Sequence, residues 1–387
     1  MQNRIDRIRR SSIALACMAI ATGILIVALP ALAQAPTPWK LGVIVAKTGP
    51  AASFGSTQQE SAEAAARQIN AAGGIHGRKI ELVVKDSKSD PTEAVRVATQ
   101  LVREDKVIGI FGDTLSSGTL AFIPMTAREG VPVVSPTTAP GVTDPANAWS
   151  KLTFRSAQTS SVDAQITVNL MKKAGYKRVA VLYQDDAYGV SGSDAFVKLA
   201  GGSGLEVVER VAMQASATDV SAQVLKVKQS NPEAILVNTS TVTLTAASLR
   251  ALQNAAYKGG VFGSVGVVQR ELIQTAGTAA EGFTAGALIN PDDPESTPRL
   301  KALMAPTAIK NHGHFLGANG IAVLAAGLQK ANPATPQALA AGIEAAGRVD
   351  GYGAAPVVYS ASMHDGVSAD SLITVKVVGG KFVTQPR

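Results

Sequence analysis

From Lys40 onward the chain alternates two periods of apolar residues. Runs such as LGVIVA (41–46), KIELVV (79–84), VIGIF (107–111) and VPVVS (131–135) are short and nearly continuously apolar, as buried strands are. Between them, TQQESAEAAARQINAA (57–72), PTEAVRVATQLVRE (91–104) and TLAFIPMTAREG (119–130) repeat apolar positions every three to four residues, as helices packed on a sheet do. The junction GGIHG (73–77) has the helix before it and the strand after it, so Gly73 and Gly74 mark a helix end; a phosphate loop needs the opposite order. Asp90 reads as an N-cap, with Pro91 at the first helical position and Glu93 at the capping-box position.

A Pro-, Thr- and Asn-containing loop (136–148) leads to LTFRS, and the rhythm then restarts. Helical stretches at 165–175, 193–200, 220–231 and 246–256 alternate with strands at 178–184, 205–211, 233–238 and 260–264. Helices follow at 299–310, 321–330 and 338–346, then strands at 357–360, 372–378 and 381–384, the last two joined by Gly379-Gly380 as a hairpin. Such alternation predicts an α/β protein with two doubly wound parallel-sheet lobes.

The first 35 residues stand outside this pattern. MQNRIDRIRR is basic, residues 13–29 are apolar, and Ala31-Leu32-Ala33 and Ala33-Gln34-Ala35 are small-x-small cleavage sites, so 1–35 reads as a cleaved secretory signal. Cys17 is the sole cysteine and falls within that segment, which excludes disulfides, a thiolate nucleophile and a Cys-zinc site from the exported chain. The net charge of +7 falls to +4 without Arg4, Asp6, Arg7, Arg9 and Arg10, and no Lys/Arg cluster points to nucleic acid.

In open parallel sheets, ligands bind outside the carboxyl ends of the strands. The strand-to-helix loops there are 48–55, 112–118, 135–138, 184–189, 238–241 and 263–266, most of them short and rich in Gly, Ser or Thr. Ser116 and Ser117 open a helix, where a hydroxyl and the unpaired N–H groups of the first turn suit a carboxylate; Thr137 and Thr138 follow the neighbouring strand. Plain N-capping is the competing reading. Asp185 and Asp186 read as turn and cap groups, and His76, His312, His314 and His364 as solvated loop residues, with no acidic partner near the H-x-H pair. No nucleophile-elbow, phosphate-loop or dinucleotide motif occurs in its required context, and neither a metal nor a cofactor is called for.

LGVIVAKTGPAASFG, INAAGGIHGRKIELVVKDSKSDPTEAV, GDTLSSGT, GVPVVSPTTAP, FRSA, VAVLYQDDAYG and VVGGKFV occur in this order. In these stretches the chain resembles the periplasmic leucine/isoleucine/valine-type solute-binding proteins of ABC importers, with the type I periplasmic-binding-protein fold. The resemblance implies a three-crossing hinge, a first lobe of residues 36–155 plus 290–362, a second of 156–289 plus 363–387, and a ligand cleft between them. It implies that Phe54 caps the pocket, that Ser116 with Thr137 and Thr138 receives a carboxylate, and that Tyr188 closes from the second lobe. Thr239 stands near the next contact, where the family often has an aromatic. Val265 matches the position that carries an acid for the α-ammonium in amino-acid binders.

The expectation is therefore a periplasmic receptor, monomeric and not an enzyme, that delivers a small carboxylate ligand to a membrane permease. An organic or aromatic acid without an ammonium group is favoured, with a branched-chain amino acid next. A receptor feeding a sensor or chemoreceptor is the alternative. A secreted hydrolase using Ser116 is the remote one, because no His base accompanies it.

Overall fold

The computed structural model describes residues 36–353 and 355–386; the expected signal segment lies outside them. The first sheet is wholly parallel, in the order β2-β1-β3-β4-β5. Its strands are β1 (Trp39–Val45), β2 (Ile80–Asp86), β3 (Ile110–Phe111), β4 (Val133–Ser135) and β5 (Thr153–Arg155). Along β1, Leu41, Val43 and Val45 enter the core under α1 (Ala52–Ala71), while Ile44 enters the one under α2 (Pro91–Arg103) and α3 (Ser116–Arg128). A strand covered on both faces must be apolar at every position, which is why 41–46 reads as a continuous run.

Asp90 caps α2, its side chain accepting the Glu93 N–H at 2.8 Å. The Glu93 carboxylate, instead of closing a capping box, pairs with Arg96 and Lys88. Gly73 and Gly74 have φ of +102° and +76°, the left-handed geometry that ends α1.

After β5 the chain enters α4 (Ser160–Lys173) and builds the second sheet, ordered β14-β13-β10-β9-β8-β6-β7. It comprises β6 (Arg178–Gln184), β7 (Glu206–Met213), β8 (Ala234–Asn238), β9 (Gly260–Gly263), β10 (Thr284–Ala287), β13 (Ile373–Val378) and β14 (Lys381–Gln385). β13 and β14 are antiparallel at one edge, joined through Gly379 and Gly380 at positive φ. Helices α4 and α5 (Ala187–Gly201) cover one face and α6 (Ser221–Gln229) and α7 (Val242–Asn254) the other; α8 (Arg270–Ala276) packs beside α7.

Between β10 and β13 the chain returns to the first sheet with α9 (Pro298–Met304), α10 (Gly313–Lys330) and α11 (Pro336–Ala346), and a small pair, β11 (Arg348–Val349) and β12 (Val357–Val358). Two of these helices differ from the sequence expectation. The helix expected over 299–310 stops at Met304, because Ala305 precedes Pro306 and takes extended geometry (ψ 138°). The helix expected from 321 begins at Gly313. Gly313 and Gly317, which resemble breaks, let it lie directly on α1: a Cβ at Gly317 would stand 2.0 Å from the Gln58 carbonyl oxygen.

Candidate functional site

The connection from β1 runs to one side of the first sheet and that from β2 crosses back to β3, so a crevice opens at the carboxyl ends of β1 and β3; the second sheet repeats this between β6 and β8. The two crevices contribute to one cleft. Its lining comprises Phe54 at the start of α1, Thr114, Leu115 and Ser116 after β3, and Pro136, Thr137 and Thr138 after β4. Ala157 and Gln158 after β5, Tyr188 after β6, Ser240 after β8, Gly266 after β9, and His312 and Leu316 at the head of α10 complete it. About 420 Å³ of empty space lies within, solvent at the mouth included. Beyond it the two halves touch through Ser53 and Glu271, and Asn311 donates to Gln269 at 3.1 Å.

Phe54, Ser116, Thr137, Thr138 and Tyr188 are thus brought together. Ser116 is the first residue of α3, and Leu115 occupies the cap position with no side-chain capping bond. The Ser116 hydroxyl is buried and unpartnered, so it does not serve as an N-cap. Under this turn, Asp113 accepts the Thr114 N–H at 2.6 Å and the Ser87 hydroxyl at 2.8 Å. Burial pushes its carboxyl up to about 7, which keeps a full negative charge away from the helix start below that pH.

The 137–139 loop is braced from behind by Arg155, a residue whose role sequence reading missed although it lies in FRSA. Its guanidinium is fully buried and donates to the Thr137 carbonyl, to the Ala139 carbonyl at 2.9 Å, to Thr143 Oγ1 at 2.8 Å and to Asp365 at 2.7 Å. The Thr137 hydroxyl lies 2.8 Å from Ser135 Oγ, and Ser160 donates from both its N–H and its hydroxyl to the Thr138 carbonyl at 3.0 Å.

Tyr188 sits in the first turn of α5, which Asp186 caps by accepting the Gly189 N–H at 2.9 Å. The phenol oxygen is buried without a well-formed hydrogen bond; burial and the neighbouring Asp163 hold its pKa far above the ordinary range, so it remains a donor. A Cβ at Gly266 would come within 2.9 Å of that oxygen.

Ser117, Thr239 and Val265 do not line the cleft. Ser117 is half-buried beside it. Thr239 is fully buried with its hydroxyl 2.6 Å from that of Thr245. Val265 is fully buried; its N–H points to both Asp163 oxygens at 3.2 and 3.3 Å, and its side chain packs toward Gly286. Their neighbours Ser240 and Gly266 face the cleft instead. Asp185 is exposed and accepts from Gln214 at 3.1 Å.

Three of the four histidines depart from expectation, while His76 stays exposed in its turn. His312 is buried, its ring tilted against Phe54 at 4.6 Å, its Nδ1 unpartnered, and burial pushes its pKa down to about 3. His314 is also buried. Its Nδ1 accepts the Lys310 N–H at 3.2 Å and its Nε2 lies 3.0 Å from Glu60, the acidic partner that the local sequence lacks. His364 stacks on Phe154 at 4.1 Å and meets Glu344 at 3.1 Å, and His76 reaches the Leu328 carbonyl at 3.1 Å. Among the described residues, no group of three or more His, Cys, Asp or Glu side chains could hold a metal ion.

A cleft between two such sheets, floored by helix starts and hydroxyl loops, invites comparison with known proteins. The periplasmic binding protein family matches residues 38–381. The chain belongs to that family.

A leucine-, isoleucine-, valine-, threonine- and alanine-binding protein of Pseudomonas aeruginosa is 29% identical over 305 residues, covering 77% of this chain and 80% of that protein. The Leu/Ile/Val-binding protein of Escherichia coli is 28% identical over 268 residues, 69% and 72% of the two chains. The solved periplasmic binding protein type 1 of Bordetella pertussis superposes with a TM-score of 0.80 at 25% identity, covering 90% of this chain and 100% of that one. This periplasmic binding protein has the type I fold and is of the branched-chain-amino-acid type, the substrate-binding class of an ABC transporter family. The family is periplasmic, and among the described residues no helix is long and apolar enough to cross a membrane.

Proposed function

We propose that this periplasmic binding protein captures a small carboxylate ligand with an apolar or aromatic body and no ammonium group, and delivers it to a membrane permease. The observation that carries this reading is the composition of the cleft. It presents an unpaired buried hydroxyl at the start of α3 and contains no Asp or Glu. An enclosed ammonium without a counter-charge loses about 3 to 5 kcal/mol. The carboxylate rests on Ser116 and the Thr137–Thr138 loop, the body lies against Phe54, and Tyr188 closes over it. The ligand reaches the site through a hinge motion of the lobes, and the receptor acts as a monomer. The relatives that this chain matches are named as binding proteins, which fits a receptor role.

One observation favours a second reading, an ordinary branched-chain amino acid. Asp163 lines a smaller polar space that shares Thr138 and Tyr188 with the cleft, and its carboxylate could serve an ammonium group. Against this, Asp163 is buried, committed to the Val265 N–H, and pushed up to about 7 by burial. Calorimetry of leucine, its keto acid and benzoate on the wild type and on Asp163→Asn separates the two. The first reading expects the acids to bind and leucine not to; tight leucine binding abolished by Asp163→Asn would establish the second.

A further inference from the structure

Four buried polar atoms end at the cleft without a well-formed hydrogen bond: Ser116 Oγ, Tyr188 Oη, Gln158 Oε1 and His312 Nδ1. Folded proteins rarely leave such atoms unpaired, because each forfeits the hydrogen bonds it had in water. The proposed carboxylate and the closing tyrosine account for the first two. Gln158 is 2% and His312 4% exposed, so bulk solvent does not satisfy the others. A hydrocarbon body would seal both atoms in an apolar contact. A second charge on the ligand would lack a counter-ion among the lining residues. What suits them is a neutral group that can donate and accept.

Resting on the carboxylate reading, we propose that the cleft selects acids carrying a second, uncharged hydrogen-bonding group on the body, a ring hydroxyl or its equivalent, and that His312 is the specificity residue that pairs with it. His312 stands immediately before α10 with its ring against Phe54, so a body resting on Phe54 has the imidazole as its next neighbour. A neutral imidazole carries one donor and one acceptor, and the Gln158 amide oxygen supplies a further acceptor. A site built to hydrogen-bond a hydroxyl rejects the analogue that lacks one, because its own groups are then stranded.

The test is calorimetry of benzoate, 3-hydroxybenzoate and 4-hydroxybenzoate on the wild type, His312→Leu and His312→Asn. The wild type should hold one hydroxylated acid on the order of tenfold to a hundredfold more tightly than benzoate. His312→Leu should reduce that preference to about threefold or less by weakening the hydroxylated acid far more than benzoate, and His312→Asn, which keeps a polar group near the Nδ1 position, should restore part of it. Equal wild-type affinity for all three acids overturns the proposal, as does a uniform loss for all three in His312→Leu. If that variant does not fold, the wild-type preference and His312→Asn decide. Binding of benzoate without preference overturns this inference alone; binding of none of the acids overturns the carboxylate reading and this inference with it.

Discussion

Ser116→Ala separates a ligand-binding hydroxyl from a structural one. The hydroxyl is 2% exposed, unpartnered, and located at the first position of α3 and not at its cap. Removing it therefore breaks no bond of the fold and relieves a buried polar atom, so the ligand-free melting temperature should stay level or rise slightly. A bound carboxylate loses one charge-assisted hydrogen bond, about 1.5 to 3 kcal/mol, or roughly tenfold to a hundredfold in affinity. Binding persists at that reduced level because the helix-start N–H groups remain. Calorimetry with benzoate and benzamide, beside thermal denaturation of the ligand-free protein, reads all three quantities. Unchanged benzoate affinity would place the carboxylate elsewhere. Equal losses for acid and amide would mean that Ser116 reads shape and not charge, and a marked fall in ligand-free stability would restore the capping role.

Two further perturbations test the scaffold beneath the site. Asp113 titrates near 7 when folded and near 3.9 when unfolded, so the native chain holds the extra proton between those values; its contribution is present below about pH 4 and lost as the pH rises to about 7. Unfolding free energies from urea titrations across this window should fall with rising pH more steeply in the wild type than in Asp113→Asn, by up to about 4 kcal/mol, and parallel profiles would contradict the assignment. Arg155→Met strands the Thr137 and Ala139 carbonyls that the guanidinium holds, while Asp365, at 40% side-chain exposure, can return to solvent. It should cost about 2 to 5 kcal/mol in urea denaturation and weaken benzoate binding as well; a stability loss with unchanged affinity would mean that the 137–139 loop holds its shape without the arginine.

The fold was legible because most of its decisions are local. Continuous apolar runs became doubly covered strands, the cap at Asp90 formed, and Gly73 and Gly74 ended α1 with positive φ. The early stop of α9 before Pro306 was itself local; at the head of α10, by contrast, a contact from far along the chain had overruled local grammar. Residues 313–320, with glycines at 313, 317 and 320, resemble a loop in isolation, yet Gly313 and Gly317 permit the close approach of α10 to α1, and Gly320 its approach to Phe111 of β3. The polar stretch Lys310-Asn311-His312 hid a buried histidine for the same reason: burial was decided by Phe54, which lies more than 250 positions away in sequence.

The proposed site divides along this line. The residues assigned to the carboxylate, Ser116, Thr137 and Thr138, stand on strand-to-helix loops, where the order of elements alone predicts N–H groups facing an anion. One-residue shifts within such loops were not visible: Thr239 and Val265 turn into the core while Ser240 and Gly266 line the cleft. Of the residues proposed to face the ligand body, Phe54 stands at the end of the 48–55 strand-to-helix loop, whereas Gln158, after β5, and His312, at the head of α10, are brought to it only by packing. Local sequence thus speaks for the end of the ligand common to many acids, and tertiary contacts for the end that distinguishes one acid from another. A relative could therefore keep every loop motif of the carboxylate end and still bind a different compound, if the residue that meets Phe54 from the head of α10 is exchanged.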